Sequence, residues 1–445
     1  MIPLRHVLSL VFTLIFLHGA RADSTRVRIA CVGASLTLGT GLVHPERDSF
    51  PARLRTLLGD GYEVRSFRGE RGIPPREALQ FLPNLVFLEF GTGELIQSFQ
   101  RLTTRPRIVA LLSLPYAHTD TTGEAHEVIN DEVLPGIQAT AFATGCELVN
   151  LYNYLLDRPD CFSDQNHLSA TGAGLVAARL YDLIRLNEVP GFDLIANARI
   201  AGLRTNYYGF ECYDFSFEGR GAKIVKPKRT ARGCPWLWRG RYWGHYPQTE
   251  IALLERGFHL VYCDVAELFG NDEAIGIWNK FYEFLIKGGL AAKAAFVGYS
   301  RGGIYVYRWA ACNPDRVACI YADAPVLDLK SWPGGKGHGG GNPGEWERFK
   351  RDFGLGSEEE ALAFRGNPID LAGKIAAAGF PMLHVCGSAD KVVPIEENTD
   401  VFEKKILASG GKITVIRKPG VGHHPHSLAN PQPIVDFILR AYVSP

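Results

Sequence analysis

Ala294-Ala295-Phe296-Val297-Gly298-Tyr299-Ser300-Arg301-Gly302-Gly303-Ile304 is the stretch that decides the fold of the second half of this 445-residue chain. Its opening is a short, continuous apolar run, the pattern of a strand buried on both faces of a parallel sheet. A helical pattern follows over 302–311. Between the two lies Gly-x-Ser-x-Gly, where glycines at 298 and 302 let the backbone turn sharply and lift the Ser300 hydroxyl above the sheet. A serine hydroxyl is a poor nucleophile until a histidine takes its proton and a carboxylate orients that histidine. Both partners lie downstream: Gly387-Ser388-Ala389-Asp390 at the end of one apolar run, and Gly420-Val421-Gly422-His423-His424-Pro425-His426 after the next.

Outward from this turn, strand and helix patterns alternate. A hairpin spans 211–225, and strands are expected over 235–239, 259–263, 317–321, 382–386 and 412–416. Helices are expected near 250 and over 274–287, 395–407 and 433–442. The first half repeats the alternation without repeating the sequence, with strands over 27–32, 85–90, 107–112 and 147–151 and a closing helix over 170–186. The fold class is therefore α/β, with two parallel sheets each covered on both faces. The expected organisation is a leader over 1–22, a first domain over 23–190, a linker over 191–205 and a second domain over 206–445.

The order Ser, Asp, His and the segment from Thr205 onward resemble the α/β-hydrolases, and are also similar to their prolyl-oligopeptidase-type members. The resemblance implies Ser300 as nucleophile, Asp390 as orienting acid and His423 as general base, with His423 preferred to His424 because Gly-x-Gly-His matches the family's loop. Asp323 is the reserve acid. The oxyanion donors implied are the N–H of Arg301 and one from Gly240 or Arg241. The Arg301 guanidinium has two open roles, holding the oxyanion or a substrate carboxylate, or pairing with a neighbouring acid. Gly-x-Ser-Arg-x-Gly also resembles the elbow of glucuronoyl esterases, although Gly303 stands where those enzymes carry lysine. Trp243 and Trp332 fall on loops at the expected site edge, where an indole can stack on a sugar. The glycine-dominated stretch from Trp332 to Trp346 reads either as a mobile lid or as a surface insertion.

A second serine set lies upstream. Gly33-Ala34-Ser35-Leu36-Thr37 and Asp164-Gln165-Asn166-His167 resemble the first and last blocks of the SGNH (GDSL-type) hydrolases, whose domain is a flavodoxin-like parallel sheet. That resemblance implies a second site of Ser35, Asp164 and His167, with Gly69 as an oxyanion donor. Gly93 occupies the position of the family's oxyanion-binding asparagine, and Ala34 that of its usual aspartate.

Composition narrows the partners. A net charge of +1 with dispersed basic residues argues against nucleic acid, which requires a basic face. Residues 1–22 carry a weakly basic start, an apolar run and Ala20-Arg21-Ala22, the pattern of a secretory signal peptide, so a secreted or periplasmic chain free of membrane is expected. In that setting Cys146 with Cys161, or Cys312 with Cys319, are the pairs available for oxidation, while Cys31, Cys263 and Cys386 sit in apolar runs that favour free thiols. No metal or organic cofactor is called for by the chemistry. The expectation is a serine esterase acting on ester-bearing carbohydrates or small esters, with a uronic-acid esterase, a prolyl-oligopeptidase-type peptidase, and a non-catalytic sugar-binding first domain as alternatives.

Overall fold

The computed structural model describes residues 26–115 and 128–443. The expected leader over 1–22 lies outside the described residues. Five strands form the first sheet: β1 (Val27–Gly33), β2 (Tyr62–Arg68), β3 (Leu85–Leu88), β4 (Arg107–Leu112) and β5 (Glu147–Asn150). All pairings are parallel and the order is β2-β1-β3-β4-β5, the doubly wound arrangement of flavodoxin-like sheets. Alternation along β1 divides the core. Ile29 and Cys31 face the helices Phe50–Leu58 and Ala170–Ile184, while Ala30 and Val32 face Gly93–Gln100 and Leu134–Thr144. β2 is an edge strand that the sequence pattern does not reveal. Only Val64 is fully buried in Tyr-Glu-Val-Arg-Ser-Phe-Arg, so no apolar run marks it.

Nine strands form the second sheet. They are β6 (Leu203–Tyr207), β7 (Phe210–Phe217), β8 (Arg220–Lys226), β9 (Trp236–Arg239), β10 (His259–Cys263), β11 (Ala294–Tyr299), β12 (Val317–Asp323), β13 (Met382–Gly387) and β14 (Ile413–Lys418). The order is β14-β13-β12-β11-β9-β10-β8-β7-β6, parallel from β14 to β10 and antiparallel beyond. β11, the strand of the opening stretch, lies inside the sheet between β9 and β12. Trp236 and Trp238 of β9 point to one face, where Trp238 packs against Trp278, Phe296 and Trp309. Leu237, Val297 and Tyr299 fill the other face.

Residues 191–205 carry more structure than their weak periodicity suggests. Asp193 caps the short helix Leu194–Asn197 by accepting from the N–H groups of Ile195 and Ala196, and β6 begins at Leu203. Leu194 is buried in the core of the second sheet, which anchors the segment. All nine cysteines are free thiols, eight of them buried, so neither candidate pair is bonded.

The two sheets meet through a buried charge. Glu255, behind the helix Gln248–Leu254, accepts from the N–H of Asn150 at 2.7 Å and from Arg179 at 3.1 Å. Both side chains of this ion pair are almost wholly buried. Burial pushes the Glu255 carboxyl up, with Arg179 opposing, and pulls the neighbouring Arg256 guanidinium down to about 9, where Arg179 adds repulsion. Removing one member of such a pair strands the other without its partner. Glu255→Ala is therefore expected to lower stability by on the order of 3–5 kcal/mol. Lys280→Ala breaks only the exposed pair with Glu218 and is expected to change stability by less than about 1 kcal/mol. Urea unfolding of both variants provides the check, and equal midpoints would contradict this account.

Candidate active site

Ser300 occupies the turn between β11 and the helix Gly302–Cys312, with φ at +49°. That left-handed conformation is unusual for a residue with a side chain and is held from both sides. The Ser300 N–H donates to the Asp323 carbonyl at 2.8 Å, and the Ser300 carbonyl accepts from Gly303 at 3.0 Å and Val326 at 2.9 Å. The surrounding glycines give the turn its room. A Cβ on Gly303 would stand 2.6 Å from the Cβ of Pro325, so the lysine found there in glucuronoyl esterases has no space in this turn.

The three residues picked from the sequence come together. His423 Nε2 lies 2.9 Å from Ser300 Oγ, and His423 Nδ1 lies 2.7 Å from Asp390 Oδ2. The other Asp390 oxygen accepts from the N–H groups of Val392 at 2.8 Å and Val393 at 2.9 Å, which fixes the carboxylate in place. Asp390 and His423 are nearly buried, so the pair works at low dielectric. His424 is exposed and bonds neither Ser300 nor Asp390. Burial, then the neighbouring histidines His426 and His423, lower its basicity.

Asp323 does not stand by as a spare acid. Its carboxylate accepts from His426 Nδ1 at 2.8 Å, from the Ser427 N–H at 2.8 Å and from the Tyr321 hydroxyl at 2.9 Å. It thus anchors the loop that carries His423.

Of the two candidate oxyanion donors on the loop after β9, Gly240 is excluded, because its N–H donates to the Val297 carbonyl at 2.8 Å. The Arg241 N–H and the Arg301 N–H have no backbone partner among the described residues. Arg241 N also lies beside the elbow, 3.7 Å from where a Cβ on Gly302 would be. Two backbone donors flanking the serine are what a tetrahedral oxyanion requires.

The Arg301 guanidinium is occupied elsewhere. It pairs with Glu345 on the helix Pro343–Asp352 and lies over the rings of Phe269 and Trp332, 4.9 and 5.6 Å from their centroids. The glycine-rich stretch around it is pinned down. Glu397 accepts from the Ser331 hydroxyl at 2.5 Å and from the His338 N–H, and the Asn342 N–H donates to the Pro333 carbonyl at 2.8 Å. These contacts make it a braced turn leading into a helix. Trp243 is likewise engaged, its ring 5.0 Å from Tyr207 and 5.6 Å from Tyr262.

The upstream set is assembled only in part. His167 Nδ1 meets Asp164 Oδ2 at 2.8 Å, but no hydrogen bond joins His167 to Ser35. Ser35 Oγ instead lies 3.5 Å from Glu89 Oε1. The Glu89 carboxylate gathers the N–H groups of Ala34 at 2.8 Å, Leu36 at 3.3 Å and Thr37 at 3.0 Å, and the Thr37 hydroxyl at 2.9 Å. A negative group thus takes the donors around the serine. Gly69 is no oxyanion donor either, since its N–H donates to the Gly33 carbonyl at 2.8 Å. Sequence reasoning missed Glu89, which reads as part of an apolar strand over 85–90; the one available signal was an acid inside that run. Ser35 and Glu89 line a cleft of about 370 Å³ together with Leu112, Ile129 and Asn166.

No family model matches the chain. An acetylxylan esterase of Xylanibacter ruminicola is 24% identical over a 200-residue alignment covering 34% of this chain and 42% of that protein. Among solved structures, Porphyromonas gingivalis dipeptidyl peptidase 4 is similar at a TM-score of 0.40 and 16% identity, covering 54% of this chain and 36% of that one. A puromycin-hydrolyzing peptidase of Mycobacterium tuberculosis is similar at 0.40 and 15%, covering 54% and 39%. The chain thus spans less than half the length of each of these proteins.

Proposed function

We propose that this protein is a serine hydrolase that cleaves carboxylic esters at Ser300, with ester-bearing carbohydrate as its substrate class. The observation that carries the reading is the continuous chain from Ser300 Oγ through His423 to Asp390, at 2.9 and 2.7 Å. In this mechanism His423 Nε2 accepts the Ser300 proton as Oγ attacks the ester carbonyl. Asp390 holds the Nδ1–H tautomer and stabilises the imidazolium. The N–H groups of Arg241 and Arg301 receive the oxyanion, His423 returns the proton to the leaving alcohol, and water releases the acyl group by the same steps in reverse. The carbohydrate ester rests on the likeness to the acetylxylan esterase. A leader over 1–22 would export the chain to such substrates.

The first sheet is read as an SGNH-like domain without its own catalysis, available as a module for holding the substrate. Glu89 is the reason. Its carboxylate takes the N–H groups of Ala34, Leu36 and Thr37 around Ser35, and His167 makes no hydrogen bond to the serine. The uronic-acid reading loses its support in Arg301, whose guanidinium is balanced by Glu345.

On an aryl acetate, Ser300→Ala is expected to reduce kcat by on the order of a million-fold, while Ser35→Ala leaves the rate within about twofold. Full activity in Ser300→Ala would overturn the assignment. A panel including acetylated xylan and blocked peptides separates esterase from peptidase, and turnover of peptides alone would reject the ester reading. Arg301→Met is expected to lower the thermal midpoint and to slow neutral and uronate esters by the same factor. A selective loss on uronates would show that the guanidinium reads a substrate carboxylate.

A further inference from the structure

His423, His424 and His426 form a cluster that the hydrolytic mechanism uses only in part. One ring nitrogen from each lies within 4.8 Å of the other two. Two of the three rings are oriented by carboxylates, His423 Nδ1 by Asp390 at 2.7 Å and His426 Nδ1 by Asp323 at 2.8 Å. Donation of Nδ1–H to a carboxylate leaves the lone pair on Nε2 and fixes the ring, the arrangement in which histidine binds metal most readily. His424 is exposed, makes no hydrogen bond among the described residues, and sits with its ring centroid 4.7 Å from that of His426 and 5.0 Å from that of His423. Its ring also stacks on that of Tyr246, with centroids 6.2 Å apart, and has to turn from that contact to close the set.

We propose that these three histidines form a binding site for a divalent transition ion that prefers imidazole, zinc above all, and that the ion switches the hydrolase off. Three neutral imidazoles with a fourth position open to water are a regular zinc environment. Nitrogen ligands stand about 2.0–2.1 Å from zinc, so the rings have to draw together from their present spacing. The exposed His424 supplies that movement. Binding takes the Nε2 lone pair of His423, which then cannot accept the Ser300 proton, and the 2.9 Å contact with Oγ loses its function as a proton path. No bond is made or broken in substrate; the ion and the serine proton compete for one nitrogen. Asp390 and Asp323 serve as outer carboxylates in the bound state, with no change of partner.

The inhibitory half rests on the reading of Ser300 as nucleophile; the binding half does not. Calorimetry with ZnCl2 on the full-length Ser300→Ala protein, which keeps all three histidines, is expected to show one ion per chain. His424→Asn, made in the same background, is expected to weaken binding by roughly tenfold or more. Absence of zinc binding, or equal binding in His424→Asn, overturns the site. In the protein with Ser300 intact, zinc is expected to suppress aryl acetate hydrolysis and a chelator to restore it. His424→Asn is expected to raise the half-inhibiting concentration by a similar factor, each rate being taken relative to the variant's own zinc-free value. Zinc binding without loss of rate, or activation by zinc, overturns the switch. Zinc binding to a protein that hydrolyses no ester or peptide without metal overturns the hydrolase reading and leaves the cation site standing.

Discussion

Asp323 holds the Ser300 site together through two different groups. Its backbone carbonyl accepts from the N–H of Ser300 and so supports the left-handed turn at that residue. Its carboxylate receives His426, Ser427 and Tyr321, fixing the loop that delivers His423. A non-glycine residue in that backbone region costs of order 1–3 kcal/mol, which persists only where neighbours over-determine it. A buried carboxylate survives only when donors replace its water. Each condition is met by the same residue at the end of β12, whose pairing with β11 and β13 leaves it little freedom. Ser300 and His423 therefore share one rigid reference although they stand 123 positions apart in the chain.

The same logic recurs at two ion pairs beside the Ser300 site. Arg239 and Glu250, both almost fully buried, tie the loop after β9 to the helix Gln248–Leu254, and Arg239 also donates to the carbonyls of Arg241, Tyr242 and His245. That ladder sets the path of the backbone at Arg241, where an oxyanion donor is wanted. Arg301 and Glu345 tie the elbow to the helix Pro343–Asp352 in the same way. Buried pairs of this kind add little net stability over apolar replacements. Here each of them joins a loop near Ser300 to a helix, so their contribution lies in shape rather than in strength.

What could be read from the sequence follows from how each feature is encoded. The interior strands β11, β12 and β13 announce themselves as apolar runs because both faces are covered. The elbow is legible because only glycine fits beside it. β2 and β6 stay hidden because an edge strand buries one or two residues, which leaves no pattern. The choice between Gly240 and Arg241 turns on which N–H the sheet consumes, a matter of register that adjacent residues in a sequence do not distinguish. Asp323 was visible as an acid at a strand end, but its partner His426 is 103 positions away, so its bond to the histidine loop required the fold.

Glu89 explains why two serines with similar local sequences differ. At Ser300 the N–H groups of Arg241 and Arg301 are left without backbone partners, and the carboxylate of the set faces the far nitrogen of the histidine. Around Ser35 the N–H groups of Ala34, Leu36 and Thr37 all point to one carboxylate, the serine hydroxyl lies 3.5 Å from that same group, and the histidine bonds Asp164 but not the serine. An oxyanion forming at Ser35 would stand beside a carboxylate, and like charge at short range raises a barrier as surely as matched donors lower it. Glu89 stabilises the turn after β1 by accepting those N–H groups. The motif alone does not separate the two serines; the sign of the charge facing each one does.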